Sequence, residues 1–299
     1  MKSLFMARAA ALGLALAAGL VAPAAATPRE AAEAAPDSAW RPVDPANLVI
    51  FTLSTGEVAI ELRPDFAPGH VERIRTLVRQ NFYDGLNFHR VIEGFMAQGG
   101  DPRGDGTGGS DLPDLQAEFT HVATPGETFR VIGRDTVAAR VGYVNGAPVG
   151  GYPEESRAIP ADGELPRWPL HCEGAASMAR AAPPNSANSQ FFLIFSDART
   201  SLDRQYTVWG FVVDGQNAVD ALPRGEPPQR PGKILSARMA TDVADAPKIE
   251  VMRTETDAFS AYLAEYEVYS RPPSEGRVGF VRDICQIPVP KRVNGEVKL

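Results

Sequence analysis

Tyr83-Asp84-Gly85-Leu86-Asn87-Phe88-His89-Arg90-Val91-Ile92-Glu93-Gly94-Phe95-Met96-Ala97-Gln98-Gly99-Gly100-Asp101-Pro102 is the stretch that decides the fold. Residues 86–98 read as two short strands around Glu93-Gly94, a turn signal between apolar runs. His89, Arg90, Phe95, Met96 and Gln98 fall close together there. On a strand pair they line one groove, with an apolar floor and a guanidinium and an amide at its edge. No nucleophile, carboxylate pair or metal-ligand spacing accompanies them. Such a set suits binding of an apolar group and hydrogen bonding to a carbonyl. Taken alone, the same residues also fit core aromatics beside a surface arginine.

Upstream, Leu48 to Leu53 and Glu57 to Leu62 predict a hairpin around Ser54-Thr55-Gly56. Ala67 to Gln80 predicts a helix, with Pro68 in its first turn and Val71, Ile74, Leu77 and Val78 on one stripe. Downstream, a glycine-rich stretch runs from Gly99 to Gly109. Gly104, Gly106 and Gly109 match the dinucleotide fingerprint as a string, but Pro113 stands where its helix should run. Residues 120–168 are rich in Gly, Pro and short polar patches and read as an insertion with a hairpin of its own. Residues 175–180, 190–195, 208–213 and 233–239 read as strands, and 217–222 as a short helix. Thr256 to Tyr269 predicts a helix carrying Phe259, Tyr262, Leu263 and Tyr266, stopped by Pro272-Pro273. His70, His89, His121 and His171 show no ligand spacing and read as structural polar residues.

The chain has 299 residues, 44% hydrophobic and 22% charged, with a formal charge of −7. That composition is globular, and the acidic balance argues against a nucleic-acid binder. Lys2 and Arg8, the apolar run Ala9 to Val21 and Ala24-Ala25-Ala26 fit a secretory signal peptide over 1–26. The run is too short for a membrane span, so no stable membrane insertion is expected. Residues 27–45 read as a loose linker, and 241–299 as a C-terminal extension, helical in part and packed on the main domain. Cys172 and Cys285 are the two cysteines. In an oxidising compartment they are disulfide candidates, tying the tail to the main domain; two buried thiols is the other reading.

The hairpin segment, continued by Gly106-Thr107-Gly108-Gly109, resembles the signature of the cyclophilin family of peptidyl-prolyl cis-trans isomerases. Ser177-Met178-Ala179-Arg180-Ala181 with Asn188-Ser189-Gln190-Phe191-Phe192-Leu193 resembles that family's second groove wall. Leu202-Asp203 and Tyr206-Thr207-Val208-Trp209-Gly210-Phe211 resemble its late strand. The resemblance covers 46–240, interrupted by the insertion. It implies a mainly β fold: a closed eight-stranded antiparallel barrel capped by two α-helices. It places Arg90 as the catalytic arginine, and Phe95, Met96, Phe192 and Leu202 on the proline pocket. Gln98 and Gln190 fall on the polar rim, and Ala179, Arg180 and Ala181 on the strand that pairs with substrate. Tyr206 and Arg180 depart from the common His and Asn as bacterial members do. Ser201 replaces a Trp of many eukaryotic members, so weak cyclosporin binding is expected.

The implied function is isomerisation of Xaa-Pro bonds in exported proteins, in a bacterial periplasm, by a monomer that needs no cofactor or metal. Its partners are proline-containing polypeptides. A non-catalytic chaperone or scaffold using the same groove is the alternative.

Overall fold

The computed structural model describes residues 26–158, 165–266, 269–271, 280–281 and 283–299. The signal segment before residue 26, and Pro272-Pro273, lie outside the described residues. Eight strands build the main sheet: β1 (Leu48–Leu53), β2 (Gly56–Leu62), β3 (Arg90–Ile92), β4 (Met96–Gly99), β5 (Ala175–Met178), β6 (Phe191–Ile194), β7 (Val208–Asp214) and β8 (Ile234–Met239). Their order is β8-β1-β2-β7-β5-β6-β4-β3, antiparallel throughout. The sheet curls around Phe51, Tyr83, Phe88, Phe191 and Trp209, all buried.

Helix α1 (Pro68–Arg79) covers this core with Val71, Ile74, Leu77 and Val78. Each such side chain contributes about 1.5–3 kcal/mol by leaving water. Its N-terminus has no cap of its own. The Glu118 carboxylate accepts the Gly69 and His70 amides instead, both at 3.0 Å. A short helix, α2 (Gln216–Asp220), follows Gly215, whose φ of +85° only glycine adopts readily; a Cβ there would sit 2.0 Å from the Glu57 carbonyl.

The barrel is a half-barrel whose edges stay open, which corrects the expected closed ladder. Strands β3 and β8 are not paired with each other. The chain ahead of β3 makes the contact instead, with the start of β8 and the residues before it: Phe88 N–H donates to the Gly232 carbonyl at 2.9 Å, and Gly85 N–H to the Ile234 carbonyl at 2.7 Å. Segment 223–232 then wedges in beside β3. It carries Pro223, Pro227, Pro228 and Pro231, none of which has an N–H to extend a ladder.

The predicted linker is folded, which is a second correction. Residues 28–33 form a helix and Trp40–Pro42 a strand, with Ala32 and Trp40 buried. Trp40–Pro42 pairs with Ile249–Met252, which pairs with Lys291–Val293 and then Glu296–Lys298. The insertion holds a four-stranded sheet rather than a hairpin alone: Phe129–Gly133, Arg140–Val144, Ala147–Gly151 and Arg167–Pro169. The tail helix α3 (Asp257–Ala264) stops short of the expected Tyr269, which lies on a strand, Tyr269–Arg271, paired with Phe280–Val281. Thr256 caps α3 by accepting the Phe259 amide.

These three segments share one core. Trp40, Tyr143, Trp168, Met252, Phe259, Tyr262 and Ile284 pack together and against Leu48 and Ile50 on the outside of the barrel. The Phe259 ring meets the Tyr143 ring edge-on at 5.1 Å, and the Tyr262 hydroxyl donates to the Pro288 carbonyl at 2.6 Å. A disulfide joins Cys172, just before β5, to Cys285 in the tail.

Arg199, buried, binds a carboxylate from each unit. It reaches Asp135 of the insertion at 2.5 Å, Asp197 at 2.7 Å and Asp283 of the tail at 2.9 Å. Burial pulls its pKa down, but Asp197 and Asp135 outweigh this and raise it. Arg199→Ala leaves the buried Asp135 carboxylate facing like charges. It is expected to cost about 3 kcal/mol of unfolding free energy, read from urea midpoints. A change below about 0.5 kcal/mol would mean that the cluster does not hold these units together.

Candidate active site

Alternation along the strands sorts β3, β4 and β6 into two faces. Val91, Ala97, Phe191 and Leu193 point into the barrel core. Arg90, Met96, Gln98, Phe192 and Ile194 take the other face. Arg90 lies opposite Gln98, and Gln98 opposite Phe192, so the three form one row across adjacent strands. Met96 lies opposite Ile194 in the next row. Around them Met96, Phe192, Ile194, Leu202 and Val208 bury a separate apolar cluster, with Phe95, Ala179 and Tyr206 packed at its edge.

The cluster opens into a pocket of about 290 Å³ lined by Arg90, Phe95, Met96, Gln98, Ala179, Arg180, Phe192, Leu202 and Tyr206. Met96, Phe192 and Leu202 are its buried floor. The Phe192 and Tyr206 rings meet edge-on at 5.6 Å. The Arg90 side chain is 40% exposed and stands at the rim, with Nε donating to Glu226 at 2.7 Å. Arg180 folds back over the Tyr206 ring, 4.7 Å from its centroid, and donates to the Gln205 carbonyl.

A second pocket of about 360 Å³ adjoins the first and holds the remaining predicted residues, Ala181 and Gln190. Gln98, Ala179 and Arg180 line both pockets. The Gln98 amide donates to the Gln190 amide oxygen at 2.9 Å across the divide. Gln190 donates in turn to the Gly106 and Gly108 carbonyls of the glycine-rich loop. The structure thus brings every predicted groove residue into one continuous depression. The pair Cys172–Cys285 lies elsewhere, in the tail contact. Among the described residues, none from the insertion, 120–168, lines either pocket.

Several supporting residues were given no role by the sequence, although Asp101 and Asn188 lie within its motif blocks. Asp101 gathers the glycine-rich loop, accepting the Arg103, Asp105 and Gly106 amides at 2.6–3.1 Å. Burial pushes its carboxyl up, but these donors prevail and hold it below the usual carboxylate range. Asn188 accepts from Ser110 and donates to the Leu112 carbonyl, shaping the far wall. Beneath the floor, the buried His171 ring lies nearly parallel to Phe192, with centroids 6.3 Å apart. It contacts Asp203 through Nδ1 at 2.9 Å and Ser177 through Nε2 at 3.0 Å. His171 is thus a structural residue, as its spacing suggested. His89 is buried too, and burial pushes its pKa down, favouring the neutral ring.

The arrangement is an apolar slot, a half-exposed guanidinium over it and amides along one edge. It can hold a small ring and donate hydrogen bonds to groups beside that ring.

Three comparisons bear on this site. The sequence model for "Cyclophilin type peptidyl-prolyl cis-trans isomerase/CLD" matches residues 48–239. A probable peptidyl-prolyl cis-trans isomerase of Brucella suis is 39% identical over 215 residues, covering 67% of this chain and 85% of that protein. A peptidyl-prolyl cis-trans isomerase of Helicobacter pylori is 32% identical over 173 residues, 57% of this chain and 77% of its own. Among solved structures, cyclophilin AquaCyp293 from Hirschia baltica superposes with a TM-score of 0.72 at 37% identity, covering 87% of this chain and 94% of that one.

Proposed function

Because this chain belongs to the cyclophilin-type peptidyl-prolyl cis-trans isomerases, we propose that Arg90 and the apolar slot beside it catalyse rotation of Xaa-Pro bonds in exported proteins. The observation that carries the site assignment is the pairing of a 40%-exposed guanidinium with a pocket of about 290 Å³ floored by Met96, Phe192 and Leu202.

The barrier is about 18–20 kcal/mol, because rotation breaks amide resonance. Uncatalysed Xaa-Pro exchange takes tens to hundreds of seconds. No bond need be made or broken; the enzyme must favour the twisted amide over both planar forms. In the twisted amide the proline nitrogen is pyramidal and accepts a hydrogen bond. Arg90 donates to that nitrogen and to the proline carbonyl. Phe95, Met96, Phe192 and Leu202 hold the ring while the preceding carbonyl swings. Gln98, braced by Gln190, orients the substrate backbone, and Ala179, Arg180 and Ala181 run beside it.

Export is supported by the charged, apolar and small-residue pattern of 1–26, and by the Cys172–Cys285 bridge, a feature of oxidising compartments. Among the described residues no helix is long and apolar enough to cross a membrane. In this reading the protein works as a periplasmic monomer on unfolded or folding chains. Cyclosporin binds weakly, because the exposed Ser201 offers little surface to pack on. Expressed in a Gram-negative bacterium, the full chain is expected in the periplasmic fraction with Thr27 as its first residue. N-terminal sequencing of that fraction tests this, and intact Met1 chain confined to the cytoplasm would overturn it.

A further inference from the structure

Arg90 has a partner that the sequence pattern did not signal. Its Nε donates to the Glu226 carboxylate at 2.7 Å, and this is its one side-chain hydrogen bond among the described residues. Glu226 lies 136 residues further along, in the proline-rich segment before β8. Backbone bonds set it there. Val91 N–H donates to the Gly225 carbonyl and Gly225 N–H to the Val91 carbonyl, both at 2.8 Å. This bridge is antiparallel, so the residue before Val91 faces the residue after Gly225. On its other side Arg224 pairs with Glu93 at 2.5 Å. The bridge requires glycine at 225: φ is +145°, and a Cβ would lie 2.6 Å from the Pro228 Cα.

We propose that Glu226 is a positioning residue for the isomerisation, holding the Arg90 guanidinium by its Nε–H so that both Nη groups face the proline pocket. This rests on the reading of Arg90 as the catalytic cation. A half-exposed arginine has four flexible side-chain torsions, and only a fraction of its rotamers aim the Nη groups at the slot. Glu226 raises that fraction without touching substrate. Its own side chain is 53% exposed, so solvent screening limits the effect to about fivefold.

The test is cis–trans exchange of an Ala-Pro peptide by NMR, using the full chain with its disulfide formed. Glu226→Ala and Glu226→Gln are each made with Arg90 present and with Arg90→Ala, the latter at raised enzyme concentration. Glu226→Ala is expected to lower kcat about three- to fivefold while KM stays within about twofold. Glu226→Gln keeps an acceptor for Nε and recovers at least half of that loss. In the Arg90→Ala background, Glu226→Ala has no further effect. Molar salt lowers wild-type kcat toward the Glu226→Ala value and leaves that variant unchanged. Wild-type kcat in Glu226→Ala, with activity lost in Arg90→Ala, would overturn the inference and leave the site reading standing. Equal losses with and without Arg90 would overturn it too, since they would report loop structure rather than arginine orientation. Full turnover by Arg90→Ala would instead remove the site reading beneath it.

Discussion

Arg90→Ala is expected to lower kcat for an Ala-Pro peptide by about a hundredfold and to change KM by less than about threefold. The asymmetry follows from where the guanidinium acts. In the planar ground state the proline nitrogen is conjugated and accepts almost no hydrogen bond; in the twisted state it accepts one. An interaction made mainly in the transition state appears in kcat. One charge-assisted hydrogen bond is worth about 1.5–3 kcal/mol, or one to two powers of ten. The rest of the acceleration comes from the slot itself, which Arg90→Ala leaves in place. Ground-state affinity also belongs to the slot, because Met96, Phe192 and Leu202 are its buried floor. Exchange spectroscopy over a range of peptide concentrations separates the two constants. A hundredfold rise in KM at unchanged kcat would make Arg90 a docking residue, and unchanged turnover would move the chemistry elsewhere in the groove.

The second large effect concerns stability. Cys172 and Cys285 are 113 residues apart, and their bond joins the tail to the strand entering the active-site half of the barrel. A cross-link of that span removes about 4.7 kcal/mol of chain entropy from the unfolded state. The double variant Cys172→Ser, Cys285→Ser is expected to lose about 4 kcal/mol of unfolding free energy, with Tm falling by about 10 °C. Reduction of the wild type by dithiothreitol should reproduce the same shift in a urea titration. The loss should be close to additive with that of a distant core substitution, such as Leu77→Ala in α1. A urea midpoint unchanged in both the double variant and the reduced protein would mean that the tail packs as firmly without its cross-link. The Arg199 cluster, with Asp283 two residues before Cys285, would then be the element that holds it.

The groove was legible in the sequence, and most of what braces it was not. Gln98 sits directly opposite Arg90 and Phe192 on neighbouring strands, and β3 and β4 are joined by the three-residue turn Glu93-Gly94-Phe95. Contacts of this kind follow from period-two alternation over a few residues, and motif spacing reports them. The α1 stripe was legible for the same reason, with period 3.6 in place of two. Glu226, Asp101 and Asn188 act on the groove from loops, where no periodicity marks a residue as inward-facing. Nothing local distinguishes Glu226 from any other surface glutamate; its role depends on the bridge between Val91 and Gly225.

By itself the sequence determined the strands of the barrel, the helix over its core, the residues that meet in the apolar slot and the family to which they belong. Those features rest on short-range alternation and on three ordered motif blocks. Only the tertiary structure decided that the barrel edges stay open, because the prolines of 223–232 deny β3 a continuous partner. It also decided that residues 27–45, the insertion and the tail form one shared core, where the sequence suggested a loose linker, an insertion with a hairpin and a partly helical extension packed on the main domain. Trp40–Pro42 is three residues long and pairs with Ile249–Met252 far along the chain. A strand of that length shows too little alternation to be recognised. Its apolar residues become a core only when three distant segments supply the other walls.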